Sequence, residues 1–438
     1  MTTTTTPGGK KSKATTPANV KSTAVDDARR AKAVAAAQAA ILKGTELKPE
    51  KESYGPLAVV SSGSTCIDDL IGGSMALDKS GPKCPGYPRR RITEIMGAES
   101  SGKTTAALQA IAEAQKAGGW CVFIDFEHAL DHAYAKKIGV SFDPSKLMVY
   151  APLTMEQGWK IIWAGIAAGA DLIVLDSVAA MVPEAELKKK PGEAPKIGAV
   201  ASALSSTLPK IVGWLCDPKY TNNPLGTAII FLNQMRASIS TGGGKGGGAN
   251  ENSAGGNALR FFAYLRMKFT RIGSETLTKK SKFTGKEVTI PYGNHTIVKL
   301  LKSKVDGKQG YTTAIFIRFN HGIDDYYSMI EAAAQHKIAG KSGAFYTFGD
   351  QKFQGRDKFR TFLMSNQPAW DELRKAVLVA VRNEADETVE ELDEEDDLLQ
   401  GMSLAFEEAS NSEEGDDPPP VQTEVDPDPS EPEPDVDG

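Results

Sequence analysis

Cysteine is scarce. The 438 residues hold four, Cys66, Cys84, Cys121 and Cys216, and no two fall in a C-x-x-C pair. That spacing argues against a zinc ribbon or a disulfide framework and fits reduced thiols. No apolar run approaches the ~20 residues that a bilayer crossing needs. The opening stretch, MTTTTTPGGKKSKATTPANVK, lacks the apolar core of a secretion signal. A cytoplasmic location and no membrane partner are therefore expected. Basic charge is absent from one region: after Arg382 there is no Lys or Arg but 23 Asp and Glu. The preceding residues carry 51 basic and 33 acidic side chains, a net of +18. A basic body with an acidic, Pro-rich tail suggests a polyanion-binding domain whose tail competes for the same site. A solubilising tail on an ordinary enzyme fits the charge equally well.

What is present is a globular composition, 40% hydrophobic and 24% charged, with no internal repeat. Residues 1–25 read as disordered, and Asp26–Leu42 as an Ala-rich helix followed by a linker to residue 56. From 57 to 323 strand and helix patterns alternate, the mark of an α/β unit with a mostly parallel sheet. Candidate strands are Arg91–Met96, Trp120–Phe126, Leu147–Ala151, Asp171–Asp176 and Thr227–Asn233. LRMKFTRIG, HTIVKLLKSK and TAIFIRFN follow with fewer helices between them. Residues 324–382 read as a small α/β unit, helical at its ends around a hairpin in GAFYTFGDQKFQG. Residues 383–438 read as a disordered tail, apart from an amphipathic piece at LLQGMSLAFEEA.

The strand RITEIM runs into GAESSGKTT and then an Ala-rich helix, which is G-x-x-x-x-G-K-T in its proper strand–helix setting. Gly97 and Gly102 let the backbone of Glu99, Ser100 and Ser101 wrap phosphates, and the helix start adds partial positive charge beside Thr105. Lys103 is suited to the β- and γ-phosphates of ATP, and Thr104 to Mg²⁺. Asp176 ends the apolar strand DLIVLD at the edge where ligands of parallel sheets gather, suited to the Mg²⁺ shell or to a plain helix cap. Glu127 and Asp125 both stand at the end of WCVFIDF as candidate bases for an attacking water. Asn233 and Gln234 end TAIIFL, within reach of a γ-phosphate. Residues 241–257, TGGGKGGGANENSAGGN, hold eight glycines and leave open whether they are a linker or a loop ordered by a ligand.

GAESSGKTT, CVFIDFEHALDHAYAKKIGV, DLIVLDSVAAMVPEAE, FLNQMR and GGNALRFFAYLRMKFTRIG occur in the order and at spacings similar to the bacterial RecA-type recombinases. The resemblance runs from about Ala28 to Ala380. It implies a RecA-like P-loop ATPase core with a mostly parallel sheet, an N-terminal oligomerisation helix and a small C-terminal domain. It also implies a DNA-dependent ATPase that forms homo-oligomeric helical filaments on single-stranded DNA and exchanges strands with a homologous duplex. Rival readings are a helicase-like motor of the same fold and a DNA-coating protein without strand exchange.

By the same resemblance Glu127 is the catalytic carboxylate, Asp131 and Tyr134 contact adenine, and Gln234 couples the γ-phosphate to the DNA loops. Lys302 and Lys304 reach a neighbouring subunit's ATP, and Arg260, Phe261 and Arg266 lie at the subunit interface. The first DNA loop is expected at about 186–198, with Lys188, Lys189, Lys190, Ile197 and Gly198, and Ser205 on the next helix. The second, at about 235–257, holds Arg236, Ile239, Gly255, Gly256 and Asn257, which makes the glycine run a DNA loop. Ser202 and Pro209 depart from the family's arginines on the helix after the first loop. Pro209 is expected to break or kink that helix, with the three lysines replacing the lost charge. WLCDPKYTNNPLG and the stretch from Cys66 to Arg91 are longer than the family pattern leads one to expect.

Overall fold

The computed structural model describes Lys32 and residues 57–72, 84–190, 192–194, 196, 198–235, 256–280, 285–305 and 309–381. Outside these lie the expected helix Asp26–Leu42 apart from Lys32, Ile197, the glycine-rich stretch with Arg236, Ile239 and Gly255, and the acidic tail.

A short antiparallel pair, β1 (Val59–Val60) and β2 (Tyr87–Pro88), brackets α1 (Thr65–Gly72). The alternating region follows: β3 (Ile92–Gly97), α2 (Lys103–Lys116), β4 (Cys121–Asp125), α3 (His132–Ile138), β5 (Leu147–Tyr150), α4 (Met155–Ala168) and β6 (Leu172–Asp176). Next come α5 (Glu184–Leu187), α6 (Ala199–Cys216), β7 (Ala228–Gln234) and α7 (Asn257–Phe262). Three long strands, β8 (Leu265–Lys280), β9 (Glu287–Lys302) and β10 (Thr312–Arg318), lead to β11 (Gly322–Ile323) and α8 (Asp325–Gln335). The chain then forms β12 (Gly340–Ser342), β13 (Phe345–Phe348), β14 (Gln351–Gln354) and α9 (Arg356–Ser365), and ends its described part in helix α10 (367–381).

Nine strands make one sheet in the order β11-β10-β9-β8-β3-β7-β6-β4-β5. From β8 to β5 every pairing is parallel, and β8 to β11 are joined antiparallel. β4, β6 and β7 carry unbroken apolar runs because both faces are covered. Alternate side chains serve different cores. Cys121, Phe123, Leu172, Val174 and Ile230 face the core containing α2, whereas Val122, Ile124, Ile173, Leu175, Ile229 and Phe231 face the one containing α4, α6 and α7. Local signals set the helix ends. Thr154 caps α4 by accepting from the Gln157 N–H, and Gly169 ends it in the left-handed region.

Three features differ from the sequence expectation. β8 and β9 run well beyond LRMKFTRIG and HTIVKLLKSK, and their outer halves form an exposed ribbon. The hairpin in GAFYTFGDQKFQG is β13–β14, to which β12 adds a third antiparallel strand. Pro209 does not break α6, which runs through it. One face of α6, with Leu204, Leu208, Ile211 and Leu215, is locked into the core beneath the sheet, and this packing holds the helix across the missing N–H. Among the described residues α6 is the one helix long and apolar enough to cross a membrane by composition, and that apolarity serves the same core.

Candidate functional site

The C-terminal ends of four adjacent parallel strands, β3, β7, β6 and β4, converge on one edge of the sheet. β3 delivers the loop Gly97–Gly102. A Cβ at Gly97 would lie 2.3 Å from the Phe269 carbonyl oxygen and 2.7 Å from Ser101 Oγ, so close packing against β8 requires glycine there as much as any ligand does. Ser100 and Gly102 adopt φ of +58° and +96°, and a Cβ at Gly102 would meet the Ile317 methyl at 2.1 Å. Ala98, Glu99 and Ser100 are exposed, while Ser101, Lys103 and Thr105 are buried. No side chain caps the start of α2, which leaves its first N–H groups to a ligand.

Lys103 Nζ donates to the Ala98 carbonyl at 2.7 Å, folded back over the loop. Burial lowers its pKa, opposed by Asp176, Glu127 and Glu99. Thr104 Oγ1 donates to Asp176 Oδ2 at 2.8 Å. Burial pushes Asp176 up to about 6, against the pull of that hydrogen bond. The two oxygens expected around Mg²⁺ are thus already neighbours, and the donor set of hydroxyl and carboxylate suits a hard, oxygen-seeking cation.

Asp125 and Glu127 have different surroundings. Asp125 is buried and accepts from the Leu130 N–H, fixing the turn after β4. Glu127 is exposed, and its Oε1 accepts from Ser177 Oγ at 2.5 Å and from Gln234 Nε2 at 2.7 Å. Asn233 points the other way, buried, donating to Glu94 at 2.8 Å. Nothing in the sequence singles out the hydrogen bond from Ser177 to Glu127, because the two lie 50 positions apart. On the far side of α2, Tyr134 Oη is 2.9 Å from Thr105 Oγ1, and burial raises the Tyr134 pKa. Asp131 caps α3, accepting from the N–H groups of Ala133 and Tyr134.

Family comparisons agree with this arrangement. The model of the RecA N-terminal domain matches residues 40–324, and that of the RecA C-terminal domain matches residues 328–382. The chain is 41% identical over 357 residues to Protein RecA of Kineococcus radiotolerans, covering 80% of this chain and 92% of that one. It is 40% identical over 338 residues to Protein RecA of Mycobacterium avium, covering 76% and 86%. The chain belongs to the RecA family. A crystal structure of the RadB recombinase covers 61% of this chain and 99% of its own at 16% identity and a TM-score of 0.40, too distant to carry argument. Recombinase function and DNA-dependent ATP hydrolysis follow from RecA membership, as do action on DNA and filament formation as family traits.

The remaining RecA-type positions fall into two groups. Around the DNA loops, Lys188 pairs with Glu184 at 2.7 Å and Lys189 with Glu186 at 2.9 Å, so two of the three lysines are already engaged by acids of α5. Lys190 is exposed. Gly198 (φ +77°) starts α6, and Ser205 Oγ donates to the Ala201 carbonyl within it. Gly256 precedes Asn257, the first residue of α7. Gly198 and Gly256 line one cavity of about 430 Å³ with Met181, Pro183, Glu186 and Lys196, which brings the ends of both expected loops together.

At the expected interface, Phe261 is 68% exposed and Arg260 is exposed beside it. Arg266 is buried and bound at 2.6 Å to Glu94, itself fully buried, so its guanidinium serves the chain's own core. Lys302 Nζ donates to the carbonyls of Arg260 and Phe261, both at 2.9 Å. Burial lowers the Lys302 pKa, helped by Lys304, Arg266 and Arg260. β9 stops at Lys302, so Lys304 lies beyond the strand.

Proposed function

We propose that ATP-bound subunits of this chain polymerise on single-stranded DNA, hold it between the two loops, and test homologous duplex by base pairing. The observation that carries this reading is the bond from Gln234 to Glu127. A candidate general base and the residue leading into the stretch 236–255 share one hydrogen bond at the sheet edge, so occupancy at the nucleotide is felt where the second DNA loop begins. In this reading Glu127 orients a water and takes its proton as the water oxygen attacks the γ-phosphorus, and ADP leaves with the bridging oxygen. Ser177 and Gln234 hold the carboxylate in place. Lys103 leaves the Ala98 carbonyl to neutralise the β- and γ-phosphates. Thr104 and Asp176 hold Mg²⁺, which supplies charge against the phosphate oxygens. Tyr134 stacks on adenine, and Asp131 positions it through the α3 cap.

Lys302 and Lys304 would act on a neighbour's nucleotide only after assembly, with Lys302 exchanging the carbonyls of α7 for phosphate. Arg260 and Phe261 are the exposed part of that contact. The segments 186–198 and 235–257 are the DNA loops of this reading. Gly198, Gly256 and Asn257 frame their inner ends, and Ile197, Ser205, Arg236, Ile239, Gly255 and Lys188–Lys190 are candidate contacts. A Gly-rich loop brings backbone N–H groups close to phosphates at an ordering cost recovered on binding. The proposed organisation is an N-terminal oligomerisation segment (26–56), an ATPase core (57–323), a C-terminal domain (324–382) and a tail, in a cytoplasmic protein.

The decisive experiment is fluorescence-followed strand exchange with ATP and Mg²⁺, comparing homologous and heterologous duplex. Homology-dependent exchange that disappears in Lys103→Ala is expected. Turnover stimulated by single-stranded DNA without exchange would point to a motor or coating protein and overturn the reading.

A further inference from the structure

The outer halves of β8 and β9 form a two-stranded ribbon that no third strand covers. β3 pairs with β8 only as far as Phe269, and β10 pairs with β9 only from Gly293 to Lys299. Beyond those points the two strands have only each other among the described residues, from Thr276–Pro291 to Lys280–Glu287. Open edges and an exposed two-stranded ribbon are marginal in water, and natural proteins rarely leave them uncovered.

The ribbon's two faces differ. Directly opposed residues share a face, so Leu277 with Ile290 and Lys279 with Val288 form one side, and Thr278 with Thr289 and Lys280 with Glu287 the other. The threonine side is satisfied by its own hydroxyl pair at 3.0 Å. The other is apolar and uncovered: Val288 is 44% and Ile290 43% exposed. Among the described residues from 271 to 291 the charge is basic, with Arg271, Lys279, Lys280 and Lys286 against Glu275 and Glu287. Glu275 is committed at the base, where it accepts from Tyr327 at 2.6 Å and pairs with Arg356.

We propose that this ribbon docks the chain's own acidic segment, residues 393–408. That segment reads DEEDDLLQGMSLAFEE, with Leu398, Leu399, Met402, Leu404 and Phe406 set between carboxylates. Its apolar residues cover Leu277, Val288 and Ile290, and its acids face the ribbon's lysines. A DNA strand would use the lysines alone and leave the apolar stripe in water, which is why the peptide is favoured. Connectivity agrees. α9, which grips the ribbon's base through Arg356 and through the Tyr292–Asp357 bond, leads directly into α10 and then the tail. The intervening chain from residue 382 to 392 is long enough to span roughly 18 Å as a coil and about 37 Å at full stretch, so the segment can fold back.

The test uses the full chain at low concentration with no nucleotide or DNA, so its failure and that of the recombinase reading are separable. Ser403→p-benzoylphenylalanine is irradiated and the adduct located by mass spectrometry, with an isotope-labelled second population to separate intrachain from interchain products. Intrachain adducts on residues 276–291 are expected. They should fall severalfold in high salt, in the ribbon variant Leu277→Ser/Lys279→Glu/Ile290→Ser and in the tail variant Leu399→Ser/Phe406→Ser, all with unchanged thermal midpoints. Adducts scattered over the surface, confined to interchain products, or insensitive to the ribbon variant would overturn the proposal. So would an absence of ribbon adducts together with weakened duplex binding by Lys279→Glu/Lys280→Glu, which would make the ribbon a DNA contact.

Discussion

Arg266 and Glu94 meet in the centre of the sheet, one on β8 and one on β3, with Asn233 on β7 completing the carboxylate's shell. A buried pair of this kind adds little net stability when made and costs much when broken, because the survivor keeps its charge in a poor solvent. Glu94→Ala should therefore destabilise the protein by about 3–5 kcal/mol, read as a lower urea midpoint with unchanged slope. A loss well under 1 kcal/mol would mean that water reaches Arg266. Asp68 makes the opposite kind of case. Burial pushes its carboxyl up to about 7, against hydrogen bonds from Ser62 and Ser61 and with a smaller push from Asp325. The folded state therefore binds the proton more tightly than the unfolded chain. The stability this contributes is complete below the unfolded carboxyl pKa of about 4 and is lost as pH rises through about 7. Asp68→Asn should flatten that part of the stability–pH curve and leave the variant the more stable protein at pH 8. Asp325, raised by burial in the same direction, keeps some slope in place.

At the scale of elements, α6 and β7 show how much can be read in advance. β4, β6 and β7 are legible as strands because each carries an unbroken buried apolar run, and β3 because it leads straight into the glycine-rich loop. The ends of those runs also marked the site, since Gly97, Glu127, Asp176 and Gln234 each follow one of them. The outer ribbon was not legible. Its lysines, threonines and single proline form no alternation against a core, and only the partner strand gives them shape. Nor could Arg266 be placed, with its partner 172 positions away. Pro209 misled for the same reason, as local propensity gave way to tertiary packing. It still lacks the N–H that would bond the Ser205 carbonyl, so Pro209→Ala should raise stability by about 1–3 kcal/mol, measured by thermal unfolding. A fall would show that α6 is shaped around the proline ring. At the end of β7, Gln234→Ala removes one donor from Glu127 and the link to the following segment. Basal ATP turnover should change severalfold at most, while its stimulation by single-stranded DNA is lost. Stimulation retained at the parent level would break the proposed coupling.

For the whole molecule, charge is divided sharply by position: a net of +18 through residue 382, then 23 acids without a single base. The family match stops at the same place, with the RecA C-terminal domain ending at residue 382. A tail of this charge is expected to compete with DNA for the same body, by an electrostatic effect that reaches only a Debye length, about 10 Å at 0.1 M salt and 3 Å at 1 M. Removing residues 383–438 should therefore accelerate duplex uptake at low salt, with the advantage shrinking as salt rises. The slope of log affinity against log salt should steepen, because more body cations become available to displace counterions from the phosphates. Stopped-flow binding to a labelled duplex across a salt series measures both. Equal rates for the full and shortened chains at low salt would show that the tail does not compete at the DNA-binding face.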